Sequence, residues 1–198
     1  MSSTNRSDAR DSHIADYYVT PKKPVTDFLK EFQKDENIDL SSQKHFIIDP
    51  CAWWDEKHDM TYPHCLLYEW ADNKKIITND IRLDSQAKYH SDFLQATGEN
   101  KYNIVITNPP FAIAQQIIEK ALQVCKEGWY VIMLLRLNYI GSQARQPFWT
   151  TNKPYAIYAH NKRMSFTDDN KTDSIEYAHF VWKKWTQPEF AKFKILTY

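Results

Sequence analysis

The sequence has 198 residues, 42% hydrophobic and 15% aromatic, with 25 basic and 25 acidic side chains, which is enough apolar material for a core and excludes wholesale disorder. The zero net charge hides an asymmetry: residues 1–100 carry 12 Lys and Arg against 18 Asp and Glu, and residues 101–198 carry 13 against 7, so a basic face that meets phosphates is not excluded. Only 3 glycines occur, where average usage of about 7% would give roughly fourteen.

In chain order, residues 1–16 are polar and aperiodic and read as a flexible arm. They hold no apolar segment of the signal-peptide kind, and the longest apolar run, Trp129 to Leu135, is far short of the ~20 residues of a bilayer helix. The expected location is therefore the cytoplasm, with no membrane partner. Val25, Phe28, Leu29 and Phe32 follow the i, i+3, i+4, i+7 pattern of an amphipathic helix over Pro24 to Phe32. A short apolar strand, His45 to Ile48, then runs into Asp49-Pro50. Ala52 to Pro63 reads as loop, Cys65 to Ala71 as a helix, and Lys75 to Thr78 as a second strand that runs on to Asp80.

Asn103 to Thr107 is a third strand, Ala112 to Lys126 a strong helix with Ile113, Ile117, Ala121 and Leu122 inward, and Trp129 to Leu135 a buried strand. Ala156 to Ala159 and Tyr177 to Trp182 complete the series. Alternating strands and helices imply crossover connections and a mostly parallel sheet, in which ligands bind beyond the carboxyl ends of the strands at the switch point of the topology. Asp49, Asp80 and Asn108 all fall at such ends. The expected unit is one domain over residues 17–198 with no separate target-recognition domain.

The three cysteines, Cys51, Cys65 and Cys125, form no CxxC pair and fit a reducing compartment as small buried hydrophobes. The spacing of Cys51, His58, His64 and Cys65 matches no compact zinc knuckle, so no metal is expected.

The sharpest signal is Ile104-Val105-Ile106-Thr107-Asn108-Pro109-Pro110-Phe111. Two prolines directly after a buried strand give up two backbone donors and impose a stiff extended turn. The Asn108 side-chain oxygen and the Pro109 carbonyl can accept both hydrogens of an exocyclic amine, and the Phe111 ring offers a face on which a base can stack.

Here the sequence resembles the class I S-adenosylmethionine-dependent methyltransferases of the DNA adenine-N6 type, in particular small bacteriophage enzymes. The resemblance implies a Rossmann-like fold with a mostly parallel sheet and an antiparallel C-terminal strand, a flipped adenine as target, and S-adenosylmethionine as cofactor. It implies a catalytic turn in which Asn108 and the Pro109 carbonyl accept from the amine, Pro110 is the rigid corner and Phe111 the stacking platform. By the same resemblance Tyr18, Thr20 and Pro21 open a helix near the cofactor's methionine carboxylate, Asp49, Cys51 and Ala52 belong to its loop, Asp80 binds the ribose hydroxyls, and Asp92 and Phe93 hold its adenine. It covers about Tyr17 to Lys183. Phe166 is the candidate second aromatic around the flipped base, and Arg136, Arg145, Lys162 and Arg163 are candidate phosphate contacts. DNA is the implied partner, with the host-cell cytoplasm as location for a phage-encoded enzyme. A chain this small implies short or relaxed recognition from loops, or a partner subunit, a homodimer included.

The resemblance breaks at one point. After Asp49-Pro50-Cys51-Ala52, where the family uses glycine so that the ligand can approach the backbone, stand Trp53 and Trp54. The pattern therefore leaves three readings open: a working adenine-N6 methyltransferase with a rebuilt loop, a degenerate methyltransferase-fold protein acting as a DNA-binding or inhibitory module, and an enzyme for another amine or amide.

Overall fold

The structure, a computed structural model, describes residues 19–42, 45–53, 60–69, 76–166, 172 and 174–197. The chain forms helix α1 (Lys22–Glu36), strand β1 (Ile47–Asp49), helix α2 (Thr61–Glu69), strands β2 (Ile76–Asp80), β3 (Tyr89–His90) and β4 (Tyr102–Thr107), helix α3 (Ala114–Val124) and strand β5 (Cys125–Arg136). Helix α4 (Gln146–Thr151) and strands β6 (Ala156–His160), β7 (Tyr177–Lys183) and β8 (Lys192–Leu196) follow.

The eight strands form one sheet in the order β3-β2-β1-β4-β5-β7-β6-β8. Only β7 runs against its neighbours, pairing antiparallel with β5 and β6, while β8 returns parallel to β6 at the edge. This is the Rossmann-like α/β architecture expected from the alternation of elements. The chain leaves β1 toward β2 and β3, then returns to the other side of β1 as β4, so the topology switches between β1 and β4. That switch sets the carboxyl ends of β1 and β4 side by side, where open α/β sheets bind ligands.

The central strands are buried on both faces, and their side chains alternate between two cores, while the edge strands β3 and β8 are largely exposed. Ile47, Ile104, Ile106 and Ile132 join Val25, Phe28, Leu29 and Phe32 of α1 and Leu66 of α2. Ile48, Val105, Val131 and Met133 join Ile117, Ile118 and Ala121 of α3, Phe148 of α4, and Phe180 and Trp182 of β7. A smaller group, Leu134, Met164, Phe166 and Tyr177, closes the carboxyl end of β5 and packs against Phe111.

Several element boundaries differ from the sequence reading. Helix α2 begins at Thr61 rather than Cys65, because Pro63 falls in a first turn that needs no N–H from it; Trp70 and Ala71, expected in that helix, lie outside the described residues. After the two prolines the chain first makes a 3-10 turn, Phe111–Ile113, closed by the Ile113 N–H on the Pro110 carbonyl at 3.2 Å. Ile113 is accordingly exposed, not inward. Helix α3 ends at Val124, not Lys126, because Cys125 is already extended. Strand β5 bulges opposite Tyr102 and Ile104, with Gly128 at φ +74° in the left-handed region that favours glycine. Strands β3 and β8 and helix α4 had no counterpart in the sequence reading. Residues 1–16, expected as an arm, lie outside the described residues. Among the described residues no helix is long and apolar enough to cross a membrane.

Candidate active site

The site is built from the carboxyl ends of β1, β2 and β4 and the segment that leads into α1. Asp49, 3% exposed, ends β1. Its Oδ1 accepts the Thr107 hydroxyl of neighbouring β4 at 2.6 Å and the Cys51 N–H at 3.3 Å. Burial nevertheless dominates and pushes its carboxyl up to about 7, with Asp80 adding a smaller push in the same direction. The same burial, with Asp49 nearby, raises the Cys51 thiol and disfavours its thiolate.

The raised carboxyl has a consequence for stability. Between pH 3.8, the ordinary value, and about 7 the folded chain holds a proton on Asp49 that the unfolded chain has released. Stability therefore falls as pH rises through that window. Asp49→Asn keeps the oxygen that Thr107 needs and removes the penalty. The expected result is a melting temperature roughly 5 °C above wild type at pH 8 and no difference at pH 4; parallel melting curves across that range would contradict the assignment.

At the end of β2, Asp80 is buried, and its Oδ1 accepts the Arg82 N–H at 2.8 Å, while Oδ2 accepts from none of the described groups. Burial again raises its carboxyl, opposed by the Arg82 N–H and charge. A carboxylate held this way is suited to accept from paired hydroxyls. Next to it, buried Asn79 ties three segments together: Nδ2 donates to the Pro50 and Ser91 carbonyls at 3.2 and 3.0 Å, Oδ1 accepts the Ser91 hydroxyl at 2.7 Å, and its own carbonyl accepts the Ala52 N–H at 2.8 Å. Asn79 thus fixes the loop after β1 against the turn that carries Asp92. Asp92 caps the 3-10 turn Phe93–Gln95 through the Leu94 N–H at 2.9 Å, and Phe93 is buried in the α3-side core.

In the loop after β1, Ala52 is buried, and the Trp53 N–H closes on the Cys51 carbonyl at 2.9 Å. The Trp53 ring lies 5.7 Å from the Arg82 guanidinium, leaning toward the turn after β2. Trp54 and Tyr18 lie outside the described residues.

Beyond β4, Asn108 is half-buried and its Nδ2 donates to the Thr20 hydroxyl at 3.0 Å. Its Oδ1 is shielded from solvent and accepts from no described group. An orphaned buried acceptor costs about 1–3 kcal/mol, a cost that a bound donor would remove. Thr20 is itself buried, and its carbonyl accepts the Thr61 hydroxyl at 2.5 Å. Pro21, extended at φ −68° and ψ 131°, leads into α1.

Half-buried Phe111 carries the Arg136 guanidinium 4.8 Å from its ring centroid and faces Tyr177 at 6.1 Å. Phe166, expected as the opposing aromatic, is buried and packs on Tyr177 at 4.6 Å, so Tyr177 contacts both phenylalanines. Arg145 donates from Nε and Nη2 to the Tyr139 carbonyl at 3.0 and 2.8 Å and stacks on the Tyr139 ring at 4.1 Å, committing part of its fork to the chain itself. Lys162 is exposed, and exposed Arg163 pairs with Glu176 at 3.4 Å.

The residues that sequence reasoning missed are Thr61, Asn79, Thr107 and Tyr177, together with a buried chain of Tyr62, His179 and His160. The Tyr62 hydroxyl lies 3.1 Å from His179 Nε2, and His179 Nδ1 lies 2.8 Å from His160 Nε2. Burial holds both imidazoles neutral, with His160 pushed down to about 4 and His179 well below the ordinary imidazole range. The Phe28 ring stacks on His179 at 3.9 Å. The signal in the sequence for Asn79, Thr107 and His160 is polarity at a strand end, where a buried Asn, Thr or His must find a partner; Thr61 and Tyr62 open α2 and His179 lies inside β7, where no such signal stands.

No protein-family model matches the sequence, and no curated protein matches it. Solved structures do match. A Listeria monocytogenes protein described as a class I S-adenosylmethionine-dependent methyltransferase aligns over 89% of this chain and 66% of its own, at 13% identity and a TM-score of 0.55. A Pyrococcus horikoshii protein described as an RNA methyltransferase aligns over 85% and 88%, at 15% identity and 0.64. The fold is that of the class I methyltransferases. The M protein of the type I restriction enzyme EcoKI shares it over 87% of this chain and 45% of its own, at 12% identity and a TM-score of 0.55. This chain thus spans about two thirds of the Listeria protein and less than half of the restriction subunit.

Proposed function

We propose that the protein is an S-adenosylmethionine-dependent methyltransferase that acts on the exocyclic N6 amine of adenine in DNA. The observation that carries this reading is the buried, unpartnered Asn108 Oδ1 in a proline-stiffened turn at the switch point, beside the half-buried Phe111 ring. An amine has two hydrogens to donate, and the turn supplies two acceptors, Asn108 Oδ1 and the Pro109 carbonyl, while Pro110 fixes their geometry. Two acceptors on the hydrogens leave the nitrogen lone pair facing out of the turn. As the amine becomes cationic both hydrogen bonds strengthen, which is the kind of differential interaction that accelerates a reaction.

Donor chemistry at the neighbouring strand ends fits the cofactor. Asp80 would hold the ribose hydroxyls, Asp92 and Phe93 the adenine, and Asp49, Cys51 and Ala52 would line the methionine end with the segment Thr20–Pro21. When bound, S-adenosylmethionine supplies an electrophilic methyl group, so no nucleophilic residue or metal is asked of the chain. A restriction-system M protein and a protein described as an RNA methyltransferase among the structures of the same fold support a nucleic-acid substrate. Extruding the base costs a few kcal/mol, offset by stacking on Phe111 and by phosphate contacts from Arg136, Lys162 and Arg163. Arg136 gives up a cation–π contact of about 0.5–1 kcal/mol where the base takes its place. Phe166 acts through Tyr177, which backs the Phe111 platform.

Calorimetry with S-adenosylmethionine tests the cofactor half. Wild type is expected to bind, and Asp80→Ala to bind roughly tenfold to a hundredfold more weakly, the loss of hydrogen bonds to a charged acceptor. No heat and no thermal shift at millimolar cofactor would favour the second reading, a DNA-binding module whose loop with Trp53 and Trp54 has lost the cofactor. Equal labelling of adenine-containing and adenine-free DNA would reject adenine.

A further inference from the structure

We infer that Thr20 is a positioning residue for the Asn108 amide, so that the segment leading into α1 sets which end of that amide meets the substrate. The inference rests on the proposed role of Asn108 and assigns the residue that makes the role possible.

An asparagine side chain has an acceptor end and a donor end of nearly equal size, and rotation by half a turn exchanges them. With Oδ1 in the turn the site accepts from an amine. With Nδ2 there it presents two N–H groups to two N–H groups and repels it. Nothing in the Asn108-Pro109-Pro110 backbone selects between these, because prolines constrain the main chain and not the amide.

The selection comes from 88 residues away in sequence. The Thr20 hydroxyl lies 3.0 Å from Nδ2 and accepts from it, so the amide nitrogen is held toward α1 and Oδ1 is left buried with no described partner. Thr20 is 7% exposed, so water does not compete for that hydrogen bond. The segment is itself fixed: the Thr61 hydroxyl, also buried, donates to the Thr20 carbonyl at 2.5 Å, which ties residue 20 to the first turn of α2. Three elements that converge only in the folded chain thereby define one amide orientation. The arrangement stores the cost of an orphaned acceptor in the free protein, and the substrate amine relieves it.

The test compares Thr20→Val, which keeps the shape and removes the acceptor, with Thr20→Ser, which keeps it. The first readout is the side-chain amide of Asn108 in a nitrogen-15 spectrum, identified as the pair of signals missing in Asn108→Asp. Wild type and Thr20→Ser are expected to show slowly exchanging, hydrogen-bonded amide protons, and Thr20→Val fast-exchanging ones. The second readout is turnover at saturating S-adenosylmethionine, so that any change in cofactor affinity drops out. There Thr20→Val is expected to lose about tenfold to a hundredfold, as misplacement of a reacting group does, and Thr20→Ser to recover most of it. An unchanged amide signal in Thr20→Val, or turnover within twofold of wild type, overturns the inference. If wild type itself methylates no adenine, the proposed function fails, and the amide signal alone then decides whether Thr20 orients Asn108.

Discussion

Asn108→Ala is expected to lower methyl transfer to adenine-containing DNA by about 10²–10³-fold, the loss typical when one preorganised polar group facing developing charge is removed. The substitution deletes Oδ1, the acceptor that the fold leaves buried and unpartnered, and leaves the Thr20 hydroxyl without its donor. It touches neither Phe111 nor any of the basic residues, so DNA affinity should change less than about threefold, since binding to DNA is dominated by phosphate contacts. Single-turnover kinetics with equilibrium binding on the same oligonucleotide separate the two. Wild-type turnover in the variant would remove Asn108 from the mechanism, and a parallel collapse of DNA binding would make it a binding residue instead.

The second large effect is on stability. Phe28 is fully buried on α1, with its ring stacked on His179 at 3.9 Å and packed near Phe32 and Tyr158. Its truncation removes the lid of the only described chain of two neutral histidines and a tyrosine, and opens a cavity under α1. Phe28→Ala should cost about 3–5 kcal/mol, or roughly 10 °C in melting temperature for a domain of this size. Phe28→Leu, which refills most of the volume, should lose well under half of that. A loss of less than about 1 kcal/mol in Phe28→Ala would mean that α1 does not anchor to the sheet through this ring.

The parts of the site that lie along the chain were legible in the sequence, and the parts made by convergence were not. Asp49, Asp80 and Asn108 announced themselves because each follows an apolar strand, and a strand's carboxyl end is defined by local pattern alone. The turn after β4 was legible because two prolines directly after a buried strand impose a stiff extended turn whatever it binds. Thr20, Thr61 and Thr107 were illegible in their present roles: a threonine contributes one hydroxyl, and its partner is fixed only once α1, α2, β1 and β4 meet. Strand β8 was missed for a different reason. Its lysines turn toward α1, where Lys192 and Lys194 meet Glu36, Glu31 and Asp35, while Phe193 and Ile195 are exposed, so the usual inward apolar alternation is inverted. Equally illegible was that two of the Arg145 N–H donors serve the Tyr139 carbonyl, a backbone partner that composition cannot foretell. In the loop after β1, where glycine is missing, the Trp53 ring lies 5.7 Å from the Arg82 guanidinium, a partner that the loop sequence does not reveal.

The most direct test of the account is mass spectrometry of nucleosides from DNA incubated with the purified protein and isotopically labelled S-adenosylmethionine. The account predicts labelled N6-methyladenine with wild type and background levels with Asn108→Ala. Label confined to cytosine or to guanine, or no label with a protein that demonstrably binds the cofactor, would contradict it.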